Sequence, residues 1–469
     1  GFVSCRSNDL SSRVNDSSVF FVWSAFDDLK MIKINSTKIA IESIIKTVIP
    51  SISSLSCKMC PLYSHNTMDE DLKNKYDSLK SMNLNIDLTR GRPASDQLDL
   101  SNEMLSIVPP SHTEEGIDIR NYGHPLGIKS ARVLASSLLG SEYETTAVCE
   151  QSSLLICYQT FLAMYLMGKP KAWKDINKPS FICPTPGFDR HFRILEDFEI
   201  DTICVPFQED GIDLIALERA LKSERNVVGG IFVPRHSNPT GHTYSDSNIK
   251  QLLALFKQHA KDSICIFDHA YMFHDFDTTI KQSSLWGLAV DAGMEDKTII
   301  MSSFSKITFG GGGISYFAAG KQLFDMVINQ RGGMMVCPDK INQMRHCMFF
   351  NDKEALLGHM DQHAAILKPK FDLVINMLEN LDPKLGSFSK PTGGYFVSFD
   401  TAKGLAKRTV SICKELGLLL TPAGSTYPNF DDPNDSNIRL APTAATIKEI
   451  KTSMQIFEVA LTIAYLEAN

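Results

Sequence analysis

The chain has 469 residues, 43% of them hydrophobic, and a formal net charge of −7. That length allows two or three domains around a large buried core, and the acidic balance offers no footing for nucleic acid or an anionic membrane surface. No apolar run approaches the roughly 18 residues that cross a bilayer, and the eleven cysteines, odd in number and scattered through apolar runs such as Ile264-Cys265-Ile266, suit reduced thiols in a cytoplasmic compartment better than a disulfide framework.

Residues 1–67, rich in Ser and Asn, are expected to be an extension with no part in the chemistry, with Met68 a natural start. A targeting role would place the protein in an organelle, but no positive leader with a clean apolar stretch is evident, and Asp9, Asp16, Asp27 and Asp28 argue against a transit peptide. Cys57 and Cys60 form a C-x-x-C without a second pair at zinc spacing, so no metal is expected there. A charged helix follows over 69–82, then a helical stretch over 100–108 and a turn-rich segment, 118–127, that opens a helix over 128–139.

From there helix and strand signals alternate. Helices are expected over 152–167, 187–198, 214–221 and 248–259, with short apolar strands at 180–183, 201–205, 230–233, 264–267 and 297–301. This pattern belongs to an α/β fold, a mostly parallel sheet wrapped by helices. After it comes one long helical region, 339–381. Strands at 393–399, 418–420 and 437–440 then mix with helices at 405–416 and 447–466, as in a smaller α+β domain. The expected division is 68–145 as the first part of the small domain, 146–355 as the large domain and 356–469 as the rest of the small one.

In an open parallel sheet, ligands sit at the carboxyl ends of the strands, and polar residues gather there. Pro234-Arg235-His236-Ser237-Asn238-Pro239-Thr240-Gly241 follows one strand, Asp268-His269-Ala270-Tyr271 the next, and Ser302-Ser303-Phe304-Ser305-Lys306 the third, before Gly310 to Gly313. A lysine at such a place is poorly solvated and biased toward the neutral amine, the nucleophile that attacks a carbonyl. The glycines follow the lysine, which argues against a P-loop, where they precede it. Ser152 and Ser153 open a helix whose free N–H groups suit a phosphate.

Asn-Pro-Thr-Gly, Asp-x-x-Tyr, Ser-x-Ser-Lys and a late arginine at Arg439, in that order, resemble the fold-type I, class I aminotransferases that use pyridoxal phosphate. More narrowly, Leu88-Thr89-Arg90-Gly91-Arg92-Pro93, Arg120-Asn121-Tyr122-Gly123, Asp189-Arg190-His191-Phe192, Pro338-Asp339-Lys340-Ile341-Asn342-Gln343 and Gly393-Gly394-Tyr395-Phe396 resemble the bacterial-type aspartate aminotransferase subgroup, over residues 69–469. The resemblance implies a transaminase working by ping-pong amino transfer, with pyridoxal 5'-phosphate held as a Schiff base on Lys306. It implies Asp268 on the pyridine nitrogen, and Asn238 and Tyr271 near the phenolic oxygen. Ser152, Ser153 and Ser303 would hold the phosphate, and Phe188 would lie against the ring. Arg439, with Gly91 and Asn238, would take the substrate carboxylate, and Tyr122 would reach the phosphate of a second subunit in a homodimer. Dicarboxylic donors with 2-oxoglutarate are the expected substrates. An aromatic, aminoadipate or kynurenine-type transaminase, a lyase and a non-catalytic sensor on the same fold stand as alternatives.

The resemblance has gaps. Eight residues after the lysine, where the family has a phosphate-binding arginine, stands Ile314, and the backbone of Gly310 to Gly313 is the candidate replacement. His236 and His269 stand where aromatic or Asn side chains are commoner. A distal carboxylate on the substrate needs a second cation, for which Arg90, Arg92, Arg331, Lys340 and Arg345 compete. His359 and His363, four residues apart on one helix, lack a third ligand and are expected to face solvent.

Overall fold

The computed structural model describes residues 70–223, 226–276 and 282–469, so the expectations for residues 1–67, for Met68 and for the Cys57–Cys60 pair lie outside the described residues. In chain order the elements begin with α1 (Glu70–Ser81), β1 (Ile86–Asp87), α2 (Ser95–Asp99), α3 (Lys129–Leu139), β2 (Thr146–Val148), α4 (Ser153–Met167), β3 (Ser180–Thr185), α5 (Asp189–Asp197), β4 (Asp201–Gln208) and β5 (Gly211–Ile212). They continue with α6 (Leu214–Ser223), β6 (Val227–Phe232), α7 (Asp246–His259), β7 (Ile264–Asp268), α8 (Leu285–Asp291), β8 (Thr298–Ser303), β9 (Ser315–Ala319), α9 (Lys321–Gly332), α10 (Lys340–Phe349) and α11 (Lys353–Glu379). The last are β10 (Gly386–Phe388), β11 (Val397–Thr401), α12 (Ala406–Glu415), β12 (Leu418–Leu419), β13 (Asn437–Leu440) and α13 (Ile447–Ala468).

Eight strands form the large sheet in the order β2-β9-β8-β7-β6-β3-β4-β5. The five from β8 to β4 are mutually parallel, and β9, β2 and β5 add antiparallel edges, so the mostly parallel α/β sheet expected from the alternation is present. Every residue of β3, β7 and β8 is buried, because helices cover both faces. Ile156, Phe192 and Phe324, from α4, α5 and α9, pack on one face with Ile266 and Met301; Leu134, Leu252 and Leu288, from α3, α7 and α8, pack on the other with Phe267 and Ile300. A second, antiparallel sheet has the order β10-β11-β13, and its core joins Leu72 and Leu79 of α1 to Phe457 and Leu461 of α13. Short β1 pairs in parallel with β12, which ties the start of the described chain to its last hundred residues.

Several expected elements differ in detail. The sheet does not end with β8: β9 turns back antiparallel beside it and carries β2 on its outer edge. The region 339–381 is two helices. Phe350 is extended, and Asp352 accepts a hydrogen bond from the Ala355 N–H at 2.8 Å, capping a fresh helix. Residues 100–108 hold only a 3-10 turn, Asn102–Ser106, since Pro109 and Pro110 forbid continuation. The strand placed at 393–399 begins at Val397, because Gly394 takes a left-handed φ of 79° in the preceding turn.

Candidate active site

Strand alternation decides which polar residues meet. Along β7, Ile264, Ile266 and Asp268 face α4, α5 and α9, and Cys265 and Phe267 face the other side. Ser303 at the end of β8 shares the Asp268 face through Met301 and Ile299. His269 is turned away from Asp268 by the same rule, and burial, followed by the charge of Arg235, holds its imidazole down at about 3. His236, 1% exposed, is bound by Asp275 at 2.8 Å. Neither histidine therefore belongs to the Asp268 face.

Asp268 is 3% exposed. Its Oδ2 lies 3.2 Å from His191 Nε2 on α5, while its Oδ1 is buried without a hydrogen-bond partner among the described residues. Burial pushes the carboxyl up, but the His191 hydrogen bond and charge, followed by Lys306, outweigh it and hold Asp268 below the ordinary aspartate value. A buried, ionised carboxylate with one oxygen unspent is incomplete, and a protonated ring nitrogen would complete it. Sequence reasoning gave His191 no role; its signal was its place as the third residue of Asp189-Arg190-His191-Phe192. Phe188, partly exposed, stands edge-on to the His191 ring at 5.1 Å.

Lys306 follows β8 in the loop that the hydroxyls were expected to border. Burial lowers its pKa, with Asp268 partly opposing, and Nζ sits 4.8 Å from the centre of the Tyr271 ring. Tyr271 is itself buried, which raises its hydroxyl above the ordinary phenol value. The lysine's backbone is gripped from behind: Tyr395 donates to the Lys306 carbonyl at 3.3 Å, and His274 Nε2 lies 3.4 Å from it. His359 Nε2 and His363 Nε2 each lie 3.0 Å from the Ile307 carbonyl. Gln97 donates to His363 Nδ1 at 3.0 Å and to the Tyr395 hydroxyl at 3.1 Å. The solvent-facing expectation for His359 and His363 is thus wrong: both are buried, because one backbone carbonyl draws two turns of α11 inward. No group of three metal-ligating side chains occurs among the described residues.

Beside the lysine loop, Ser152 caps α4 by accepting from the Leu154 N–H at 3.2 Å, and Ser153 begins the helix. Ser305 donates to the Gln151 carbonyl at 2.7 Å, and Gln151 donates to the Gly310 carbonyl, so the serines and the glycine turn close on one another. Asn342 of α10 donates to the carbonyls of Gly312 and Gly313. Ile314, in the place of the family's arginine, is a core residue, 3% exposed.

Arg439 arrives from β13 of the small sheet. Its Nη1 donates to Asn238 Oδ1 at 3.2 Å and its Nη2 to the Thr89 carbonyl at 2.9 Å and Thr421 Oγ1 at 3.0 Å; Nε is buried with no partner among the described residues. The guanidinium carbon lies 4.9 Å over the Phe396 ring. Gly91 fits beside that ring only as glycine, since a Cβ would lie 2.5 Å from it. Asn238 therefore links the two sheets, and the arginine is oriented with part of its donor fork unspent. Tyr122 lies apart from these groups. It is 79% exposed, on a loop pinned where Lys340 Nζ donates to the carbonyls of Asn121 and Gly123.

An open mixed sheet that presents a lysine and an aspartate at neighbouring strand ends, with an arginine brought across from a second sheet, defines an enzyme of the fold-type I aminotransferase class. The sequence profile of the aspartate amino-transferase family matches residues 63–468, and the chain belongs to that family. It is similar to an aspartate aminotransferase of Corynebacterium glutamicum, 37% identical over 393 residues, 82% of this chain and 90% of the relative. The crystal structure of an aspartate transaminase from that organism superimposes with a TM-score of 0.81 at 36% identity, over 85% of this chain and 96% of the other. The α-aminoadipate aminotransferase LysN of Thermus thermophilus shares the fold at 20% identity, with a TM-score of 0.69 over 85% of this chain and 98% of its own. The protein is an aminotransferase.

Proposed function

We propose that this aminotransferase uses pyridoxal 5'-phosphate to move the amino group of aspartate, or another dicarboxylic amino acid, to 2-oxoglutarate. The observation that carries the reading is Asp268, whose buried, unsatisfied Oδ1 sits one strand from the end of Lys306's strand. Bound there, the cofactor supplies an electron-accepting ring for the pair left when the substrate Cα loses its proton. Asp268 keeps the ring nitrogen protonated, and His191 keeps Asp268 ionised and aimed. The Lys306 amine, biased toward neutrality by burial, takes the Cα proton and returns it. Ser152, Ser153 and Ser303 with the α4 N-terminus hold the phosphate, Asn238 and Tyr271 border the phenolic oxygen, and Phe188 covers the ring. Arg439 holds the α-carboxylate through its free donors, beside Gly91 and Asn238.

The similarity to the Corynebacterium glutamicum enzyme supports aspartate as donor. On this reading residues 146–355 carry the cofactor, and 68–145 with 356–469 make the small domain. The exposed Tyr122 on its pinned loop supports a homodimer in which it reaches the partner's phosphate. Purified protein reconstituted with pyridoxal phosphate should show the visible absorption of the bound cofactor, and aspartate alone should discharge it in a half-reaction. Lys306→Ala should abolish both. A band that survives that substitution would refute the role of Lys306.

A further inference from the structure

We propose that Arg90, on the loop after β1, binds the distal carboxylate of the substrate and so sets the preference for dicarboxylic amino acids; this rests on the reading just given. The two carboxylate carbons of aspartate lie only about 4 Å apart. The second cation must therefore open onto the same cleft as Arg439 and keep its charge unspent.

The competing cations fail one of those two conditions. Arg331, 2% exposed, is consumed by Glu150 at 2.7 and 2.8 Å and by Gln159. Lys340 is buried on two backbone carbonyls of the Tyr122 loop. Arg345, half-buried, donates to the Ile107 carbonyl at 3.3 Å, on a segment that none of the Arg439 contacts reaches. Arg235 is neutralised by Asp275 at 2.7 Å, behind the sheet. Arg190 has Asp189 beside it at 3.9 Å.

Arg90 meets both conditions. It is exposed, and its side chain has no hydrogen-bond or ion-pair partner among the described residues. It directly follows Thr89, whose carbonyl is 2.9 Å from Arg439 Nη2, and it precedes Gly91, which is pressed against the Phe396 ring beneath Arg439. The loop that carries Arg90 is thus fixed to the very arginine proposed for the α-carboxylate. Thr421 Oγ1 donates to the same Thr89 carbonyl and Thr443 Oγ1 to that of Arg92, which leaves the loop little freedom. The charge of Arg90 reaches Arg439: burial lowers the Arg439 pKa first, Asp189 and Tyr271 oppose, and Arg90 lowers it further. Arg92 is equally exposed and without a side-chain partner among the described residues, but it stands two residues beyond Arg90 from the Thr89 carbonyl that holds Arg439, and its charge is not among those acting on Arg439. Two guanidinium groups that repel one another are both relieved by a dianion, whereas a monocarboxylic amino acid relieves only one.

The test is steady-state kinetics of the holoenzyme with L-aspartate and with L-alanine, which lacks the distal carboxylate, in wild type, Arg90→Gln, Arg90→Lys and Arg92→Gln. Arg90→Gln should lower kcat/KM for aspartate by about 10²-fold, leave that for alanine within about twofold, and raise the dissociation constant of succinate, read by calorimetry without turnover, by a similar factor. Arg90→Lys should recover part of the loss, and Arg92→Gln should behave as wild type. An unchanged aspartate-to-alanine ratio and succinate affinity in Arg90→Gln would overturn the assignment while leaving the proposed function standing. A wild-type enzyme that transaminates without preferring aspartate over alanine would overturn the dicarboxylic reading and the Arg90 assignment with it.

Discussion

Asp268 and His191 form a pair whose ionisation runs against burial. Alone in that position, the carboxyl would be pushed above its ordinary value; the imidazole reverses the direction. Because the folded pKa is the lower one, ionised Asp268 contributes stability that is complete above about pH 4, the unfolded aspartate range, and is lost as pH falls through the folded value. His191→Leu removes the largest lowering influence and leaves burial opposed only by Lys306 and Ser153, so the folded pKa should rise. The acid limb of the kcat/KM profile should then move to higher pH, and each unit of movement costs about tenfold in ionised Asp268 on the acid side. A profile measured from about pH 5 to 9 checks this, and a uniform loss at every pH would count against it. Asp268 was legible in the sequence because a strand end in a parallel sheet is a place where ligands bind. His191 was not, because its role depends on which strand α5 packs over, and no spacing within one segment encodes that.

At the scale of elements, the lysine loop is held from more sides than its sequence announced. Ser305 and Gln151 join it to the start of α4, Asn342 joins it to α10, and His359 and His363 join it to α11. A four-residue spacing looks the same on an exposed helix as on a buried one, and the carbonyl that decides the matter belongs to Ile307, more than fifty residues upstream. Because His363 Nδ1 accepts from the Gln97 amide, that ring is neutral and its Nε2 is the donor toward Ile307, and burial lowers both imidazoles, His363 to about 4. His363→Leu would strand the Gln97 amide and remove one donor from Ile307, at a cost of about 1–3 kcal/mol in chemical denaturation. It should lower kcat more than it raises KM, since what it loosens is the backbone behind the amine. The Glu150–Arg331 pair is the corresponding tether for the serine loop. Arg331→Met leaves Glu150 and Gln159 without their partner and should destabilise by about 3–5 kcal/mol, visible as an earlier denaturant midpoint. A midpoint unchanged from wild type would show the pair to be dispensable.

For the whole molecule, the helix-strand alternation was enough to foresee the α/β sheet, because buried parallel strands read as short apolar runs between amphipathic helices. What it missed in that sheet, β2, β9 and the two-residue β5, lies at its antiparallel edges; β9 is reached by a turn through the glycine loop, where no helix intervenes to signal a crossover. The proposed site draws on both sheets: Lys306 and Asp268 end strands of the large one, Arg439 rises from the small one, and Asn238 bonds between them. Tyr122 is the one proposed cofactor contact that the chain leaves far out in solvent, and the proposed homodimer would give it a place. If each site is completed by its neighbour's tyrosine, Lys306→Ala and Tyr122→Ala dimers should each be severely impaired, yet a mixture denatured and refolded together should regain activity. At equal amounts half the dimers are hybrids, each with one site that has its own Lys306 and its partner's intact tyrosine, so about a quarter of wild-type activity should return. Refolding that restores nothing, although sedimentation shows dimers, would confine each site to one chain and leave Tyr122 a surface residue.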